Sequence, residues 1–342
     1  MDKHRHTSPA ALFFRVATRA CFAAWLFGGL ALPVSQAAQP GRPLKLAVAE
    51  VIYSAPVLVA QAKGYFQEES LSLEIQRYKL GRICVEKLVA GEVDFATSAD
   101  VPVLLALMNR HEFDVLATVS TSKRENQMVI RQGAGVTGPA DLRGKRIGVL
   151  KGTSAHYFVD ALLLFHGIDQ SEVTHVPLDA KDPALALERA EVDAAGLFSV
   201  QVPGALARLQ GKGTVSKQLP IYTVTFNLLS KTARAGVSDQ DALKLMRALR
   251  KAEKFIVEEP LQAQKIVAGV LQVSQEDLAK GWEDLDFRLS LAQTVVSNLE
   301  SQERWARASG LVPADAPAPQ VLERIRVGPL RQVDAQAVRL IK

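Results

Sequence analysis

The sequence predicts an α/β protein of two lobes, and three observations lead there. Short β-rich runs alternate with helical stretches from residue 44 onward, and this pattern restarts near residue 139. The chain of 342 residues is also longer than one hydrophobic core commonly serves. Strands and helices in alternation imply parallel sheets covered on both faces. No Pro/Gly/Ser-rich linker separates the halves, so the lobes should be closely connected.

In order, Leu44–Ala49 reads as a strand and Ala55–Tyr65 as a helix closed at Gly64. Leu71–Gln76 alternates apolar and polar residues as a half-exposed strand does. Arg82–Ala90 is helical, Asp94–Thr97 a short buried strand, Ala99–Asn109 a helix, and Val115–Ser120 closes the first half. After the restart come strand Arg146–Leu150, helix Ser154–His166, strand Val173–Pro177, helix Pro183–Ala190 and strand Ala194–Phe198. Beyond Val237 the chain is helical. Ser238 with Asp241, and Ser274 with Asp277, are helix-start signals, Pro260 stops a helix, and Leu291–Ala308 is amphipathic.

Residues 1–37 read as a secretory signal peptide. Lys3, Arg5, Arg15 and Arg19 precede the uncharged run Ala20–Val34, and Ser35-Gln36-Ala37 offers small residues before a cut. The run is short of the ~20 residues that a spanning helix needs. These residues hold four Lys/Arg and one Asp, so the formal charge of +5 falls to about +2 without them. No Lys/Arg cluster is interleaved with aromatics, which excludes a nucleic-acid partner. Cys84 is the single cysteine after the leader, so no internal disulfide forms, and its apolar helical setting predicts a buried, inert thiol.

Several strings resemble the periplasmic substrate-binding proteins of nitrate, sulfonate and taurine importers, a family that includes relatives of the thiamine-pyrimidine proteins of NMT1/THI5 type. They are Pro56–Ala60 with Lys63–Phe66, Leu88–Ala96, Asp141–Val149, Lys151–Phe158, Ala190–Ala194, Tyr222–Asn227 and Phe287–Leu291. Their order, across nearly the whole chain after the leader, carries the resemblance. It implies a periplasmic-binding-protein type II fold with mixed sheets, helices on their faces and a ligand cleft between the lobes. It further implies residues 38–122 as the first part of lobe 1, 123–222 as lobe 2, and 223–342 as the return to lobe 1 with the C-terminal helices. The implied role is periplasmic capture of a small organic anion for an ABC permease and its ATPase, by a monomer without metal or cofactor.

The residues agree with an anion. In open α/β sheets ligands sit beyond strand ends, where helix N-termini offer unpaired N–H groups and partial positive charge. Ser54, Ser98, Thr153, Ser154 and Ser199 stand at such handovers, each either binding ligand or capping its own helix. Gly152 would let a ligand approach the backbone beside Thr153. His156 in a first helical turn, Asp100 in a cleft-like Asp100-Val101-Pro102 segment, and Thr225 near the return to lobe 1 complete the candidates. Phe198 and Phe226 are expected to wall an apolar part, and Arg82 is a weaker candidate. The run Gly196–Ser199 carries no acid, which favours an anion over a cation.

Three other readings stay open. The same binding role fits a thiamine-pyrimidine, riboflavin or other heterocyclic precursor. A periplasmic sensor module would need a separate partner. A cleft enzyme is disfavoured, because some enzymes of this fold hold a cleft cysteine where this chain has Ser54, and no metal or phosphate-loop motif is present.

Overall fold

The computed structural model describes residues 42–179, 181–217 and 220–341; the expected signal peptide lies outside these residues. The chain first lays down β1 (Leu44–Ala49), β2 (Leu73–Tyr78), β3 (Phe95–Ala99) and β4 (Asp114–Ser122). It crosses to a second sheet for β5 (Asn126–Arg131), β6 (Arg146–Val149), β7 (Thr174–Pro177), β8 (Ala194–Phe198) and β9 (Gly213–Val215), then returns with β10 (Val224–Ser230) and β11 (Leu285–Asp286). The sheets are ordered β11-β4-β10-β3-β1-β2 and β7-β6-β8-β5-β9, while β12 (Leu291–Ala292) and β13 (Val338–Arg339) pair apart.

The helices of the first half are α1 (Ala55–Ala62), α2 (Tyr65–Glu68), α3 (Gly81–Val89) and α4 (Asp100–Met108). Then come α5 (Ser154–Phe165), α6 (Leu185–Glu188) and α7 (Val202–Arg208) on the second sheet. The C-terminal set is α8 (Asp239–Glu258), α9 (Pro260–Leu271), α10 (Gln275–Trp282), α11 (Gln293–Ala308) and α12 (Gly328–Val333). Among the described residues no helix is long and apolar enough to cross a membrane.

Alternation alone pointed to parallel sheets, and the sheets are mixed. Within the two large sheets, β2-β1-β3 and β7-β6-β8 are parallel, whereas β10 runs antiparallel to β3 and β4, and β5 antiparallel to β8 and β9. A parallel partner needs a long crossover, usually a helix. Strands β5 and β10 instead arrive by short links from the other sheet, so nothing imposes that direction on them.

The second sheet buries both faces. Consecutive residues of a strand point to opposite sides. Met128 packs with Ile147, Phe158 and Leu162 under α5, whereas Val129 packs with Leu187, Leu197 and Val202 under α6 and α7. The first sheet shares one larger core with α1, α4, α8 and α11. Both helix starts read from Ser–x–x–Asp are present: Ser238 and Ser274 each accept the N–H three residues on, at 3.0 Å. Pro260 ends α8 and also opens α9 as its first residue. Helix α11 starts later than its pattern suggests, because Leu291–Ala292 is held by β13.

The repeated Glu-Val-Asp string has one structural meaning in both lobes. Asp94 and Asp193 each precede a strand and accept a backbone N–H from the neighbouring strand, from Lys45 at 2.9 Å and from Arg146 at 3.0 Å. Each also meets two cations: Arg42 and Lys231 flank Asp94, and Arg146 and Arg131 flank Asp193. Burial alone would raise the Asp193 carboxyl, but the arginines and the Arg146 N–H outweigh it and hold it at about 2.

Because this value lies below the ordinary 3.8, the stabilisation is complete above pH 3.8 and is lost as pH falls towards 2. Asp193→Asn should therefore cost roughly 2 kcal/mol at neutral pH, with the gap to wild type closing below pH 3. Urea melts at pH 7 and pH 2.5 check this. An equal gap at both values would mean that the ion pairs are not its source.

Candidate functional site

A small cavity lies where elements of both sheets meet. Its wall takes Leu80, Gly81 and Arg82 from the start of α3, Ser98, Ala99 and Pro102 from β3 into α4, and Thr153 with Ser154 from the start of α5. Phe198 and Val200 come from the end of β8, Val224 and Phe226 from β10, Val51 and Tyr53 from the turn before α1, and Glu125 from the β4–β5 crossing. Its volume of about 130 Å³ is below the ~300–1,000 Å³ of pockets for drug-sized ligands, which restricts it to a small solute.

Three helix N-termini therefore border one cavity. The first N–H groups of any helix lack intrahelical partners. At α3 no side chain caps them, because the preceding residue is Leu80; at α4 the preceding Ala99 offers no cap, and Asp100 Oδ1 takes the Val101 N–H at 2.9 Å. At α5, Thr153 Oγ1 accepts the His156 N–H at a long 3.4 Å and donates to the Leu150 carbonyl at 2.7 Å. Ser154 Oγ donates to Asn126 Oδ1 across the second lobe, also at 3.4 Å. The Ser98 hydroxyl is fully buried and, among the described residues, has no hydrogen-bond partner; the same holds for Asn126 Nδ2 beside Ser154. Buried polar groups left unpaired are costly, so the Ser98 hydroxyl on the cavity wall marks where a ligand completes the bonding; Asn126 borders the larger cavity.

Gly81 is required here by close approach. A Cβ at that position would stand 2.9 Å from Ser98 Oγ and 3.0 Å from Ser98 Cα. The larger cavity at the crossing, about 570 Å³ and lined by Lys123, Arg124, Asn126, Ile221 and Asp284 among others, brings in no helix N-terminus.

One acid does enter the small cavity. Glu125 is half-buried as a residue, with its carboxyl enclosed; Tyr53 OH donates to Oε2, and Ser199 Oγ donates to the same oxygen at 3.2 Å. Burial pushes this carboxyl up to about 7 against the pull of those two hydroxyls. Tyr53 also packs on Phe226, with ring centroids 5.6 Å apart. The missing acid after β8 thus does not leave the cleft without one.

Of the residues singled out in the sequence, Ser98, Thr153, Ser154 and Phe198 border the cavity, as do Arg82 and Phe226. Ser199 stands just behind it, spent on Glu125. Ser54 is buried at 3.4 Å from Thr97 Oγ1 and does not border it. Asp100 and Thr225 are bonded to each other: the carboxylate accepts from Thr225 N and Oγ1, Tyr222 OH, Asn298 Nδ2 and Val101 N. Their side chains turn away from the cavity because this network consumes them. His156 faces neither cleft nor solvent; it is buried against Asp160, His175 and Trp305, and burial lowers its pKa to about 4. Tyr53 and Glu125 escaped the sequence reading: Tyr53 stands at the first handover but beside the small hydroxyl Ser54 that drew attention there, and Glu125 stands at none, its one signal being its place in the link between the sheets.

A model of the NMT1/THI5-like family matches residues 51–263. A Bacillus subtilis protein named as binding aliphatic sulfonates is 24% identical over 212 residues, 59% of this chain and 61% of its own. The taurine-binding periplasmic protein of Escherichia coli is 27% identical over 148 residues, 43% of this chain and 46% of its own. The solved periplasmic aliphatic sulphonate binding protein of Escherichia coli superposes with a TM-score of 0.70, over 83% of this chain and 97% of that one, at 17% identity. The fold is that of the two-lobe periplasmic binding proteins.

Two outcomes follow from the geometry. Gly81→Ala should keep the fold but displace Ser98 and shrink the cavity, so a ligand that stabilises the wild type should lose at least about tenfold in affinity, or 1.4 kcal/mol. Titration calorimetry reads this directly. Glu125 is raised above its ordinary 4.5, so its burial weakens the ligand-free fold progressively from pH 4.5 to 7. Glu125→Gln should therefore gain on wild type over that window, by up to about 3 kcal/mol at pH 8. Parallel melting curves from pH 4 to 8 would contradict it.

Proposed function

Because the chain belongs to the NMT1/THI5-like family, we propose that it is an extracytoplasmic solute-binding protein. In this reading it captures a small organic anion between its lobes and hands it to an ABC permease. The observation that carries the ligand class is the convergence of the α3 and α5 N-termini on a cavity holding the unpartnered Ser98 hydroxyl, just before α4. Such termini stabilise an oxyanion without a cationic side chain. Arg82, the cation on the wall, is exposed and already paired with Glu86 at 2.6 Å.

The rest of the wall refines the class. Val51, Leu80, Ala99, Pro102, Val200 and Val224 are apolar, so a bare inorganic anion fits less well than one with a short carbon skeleton. Glu125, doubly hydrogen-bonded as an acceptor, would repel a pure anion when ionised. A ligand that brings its own amino group, as taurine does, removes that conflict; a ligand without one binds best with Glu125 protonated. A sulfonate head suits several N–H and hydroxyl donors arriving from different helices, and carboxylates are the nearest competitors.

A planar heterocycle is the second reading, favoured by the aromatic walls Phe198, Phe226 and Tyr53. Binding rather than catalysis is part of the proposal. The one thiol among the described residues, Cys84, does not border the cavity, and burial pushes it up to about 12. The same reading takes the protein to work as a monomer outside the cytoplasm.

The test is titration calorimetry against alkanesulfonates, taurine, short carboxylates, nitrate and a thiamine-type pyrimidine. Saturation at a hundredfold excess over Kd should add ~2.7 kcal/mol to stability. Binding of a sulfonate that Ser98→Ala weakens, with unfolding unchanged, is the expected result. Binding of the pyrimidine alone would replace the anion by the heterocycle.

A further inference from the structure

Away from the cleft, the second lobe brings together two imidazoles and a carboxylate that the ligand site does not use. His156 and Asp160 lie one turn apart on α5, and His175 comes from β7. Their ligating atoms all fall within 4.8 Å of one another. His175 Nε2 is 2.6 Å from Asp160 Oδ1, and His156 Nε2 is 3.4 Å from Oδ2. We propose that His156, Asp160 and His175 form a binding site for a divalent transition-metal cation, best suited to zinc.

The chemistry of the donor set is the first argument. Two imidazoles and one carboxylate leave a fourth, open position, a combination zinc accepts in tetrahedral geometry at about 2.0–2.2 Å from each donor. Donors that close to one ion stand roughly 3.3 Å apart, so the widest pair here must draw in by somewhat over 1 Å. His175 can supply that movement, because it is partly exposed, while His156 and Asp160 are buried. The same exposure gives the cation a way in.

The surroundings of the carboxylate are the second argument. Trp305 Nε1 donates to Asp160 Oδ2 at 2.6 Å and Ser309 Oγ to the same oxygen at 3.3 Å, both from the end of α11. Ligating carboxylates are held in this way by outer donors. Oδ1 is thereby turned to His175, and an ion between it and the two imidazoles would draw in His156 Nε2, now 3.4 Å from Oδ2. On His156 the other ring nitrogen, Nδ1, accepts the Gly152 N–H at a long 3.4 Å. That contact must yield when Nδ1 takes the proton and Nε2 becomes the ligand. A cation there would fasten α5, whose first turn borders the cleft, to β7 and, through Asp160, to α11.

The chain has six histidines, so the test can be made clean. The untagged full chain is titrated with zinc chloride, beside a variant in which His4, His6, His111 and His166 are all alanine. Both should bind one zinc with similar affinity, and cobalt should give the visible absorption of a tetrahedral site. His175→Ala, at a partly exposed position, should keep the fold, weaken zinc by at least about tenfold and abolish the cobalt band. Asp160→Asn should do the same if it folds. Zinc binding that disappears in the fourfold variant, survives in His175→Ala, or is absent from the wild type would overturn the site and leave a hydrogen-bonded His–Asp–His cluster.

Discussion

The arrangement turns on one carboxylate kept from water. Asp100 opens α4, and burial holds its pKa above the ordinary carboxylate range, with the donors that surround it only partly offsetting this. They come from its own helix, from Tyr222 in the returning link, from Thr225 on β10 and from Asn298 on α11. Tyr222 is in turn held by Gln302 at 3.1 Å. Removing one partner of such a buried charge typically costs about 3–5 kcal/mol, since the other is left uncompensated. The network therefore fixes where the chain re-enters the first sheet and where α4 begins. Ser98 and Ala99, the two residues before Asp100, inherit their position on the cavity wall from it.

The same network shows why part of the site was legible in the sequence and part was not. Periodicity and cap chemistry are local, so β1 over Leu44–Ala49, the Ser238 and Ser274 starts and the α/β class could all be read. The rule that ligands meet helix N-termini is also local in its inputs, and it found Ser98, Thr153 and Ser154. The resemblance added Asp100 and Thr225, but nothing in their neighbourhood says that they satisfy each other across 125 positions. Glu125 and Tyr53 failed in the opposite sense. Neither has a local signature, and their pairing spans 72 positions between the turn before α1 and the crossing. Mixed strand direction came from the resemblance and not from periodicity, because whether β5 and β10 arrive through a crossover or from the other sheet is a property of the whole path.

Glu125 and Asp100 are two buried carboxyls with opposite designs. Asp100 is surrounded by donors on several elements and borders no solvent-filled space. Glu125 has donors on one oxygen and a cavity beside it, and its carboxyl stays near the point of neutrality. A fold selected for stability alone would not leave an acid in that state, nor leave the Ser98 hydroxyl and Asn126 Nδ2 unpaired. Two of these costs, at Glu125 and Ser98, sit on the small cavity and are relieved by a polar ligand there, while Asn126 borders the larger cavity next to it. That coincidence is stronger support for a binding site than any one of the residues.

The geometry also constrains how the two sheets can move about that cavity. They are joined by the link after Ser122 and by the link before Val224, and a change of angle between them must be absorbed there. Helix α11 adds a further tie. It packs on α4 of the first lobe, yet Ser301 Oγ is 2.8 Å from Tyr157 OH and Trp305 Nε1 is 2.6 Å from Asp160, both on α5 of the second. A rotation that opened the cleft widely would have to break those bonds or carry α11 along with α5. Because α11 is also held to Asp100 through Asn298, carrying it along would pull on the carboxylate that sets the wall. Opening between the sheets is therefore opposed by the bonds that α11 makes to α5 on one side and to Asp100 on the other.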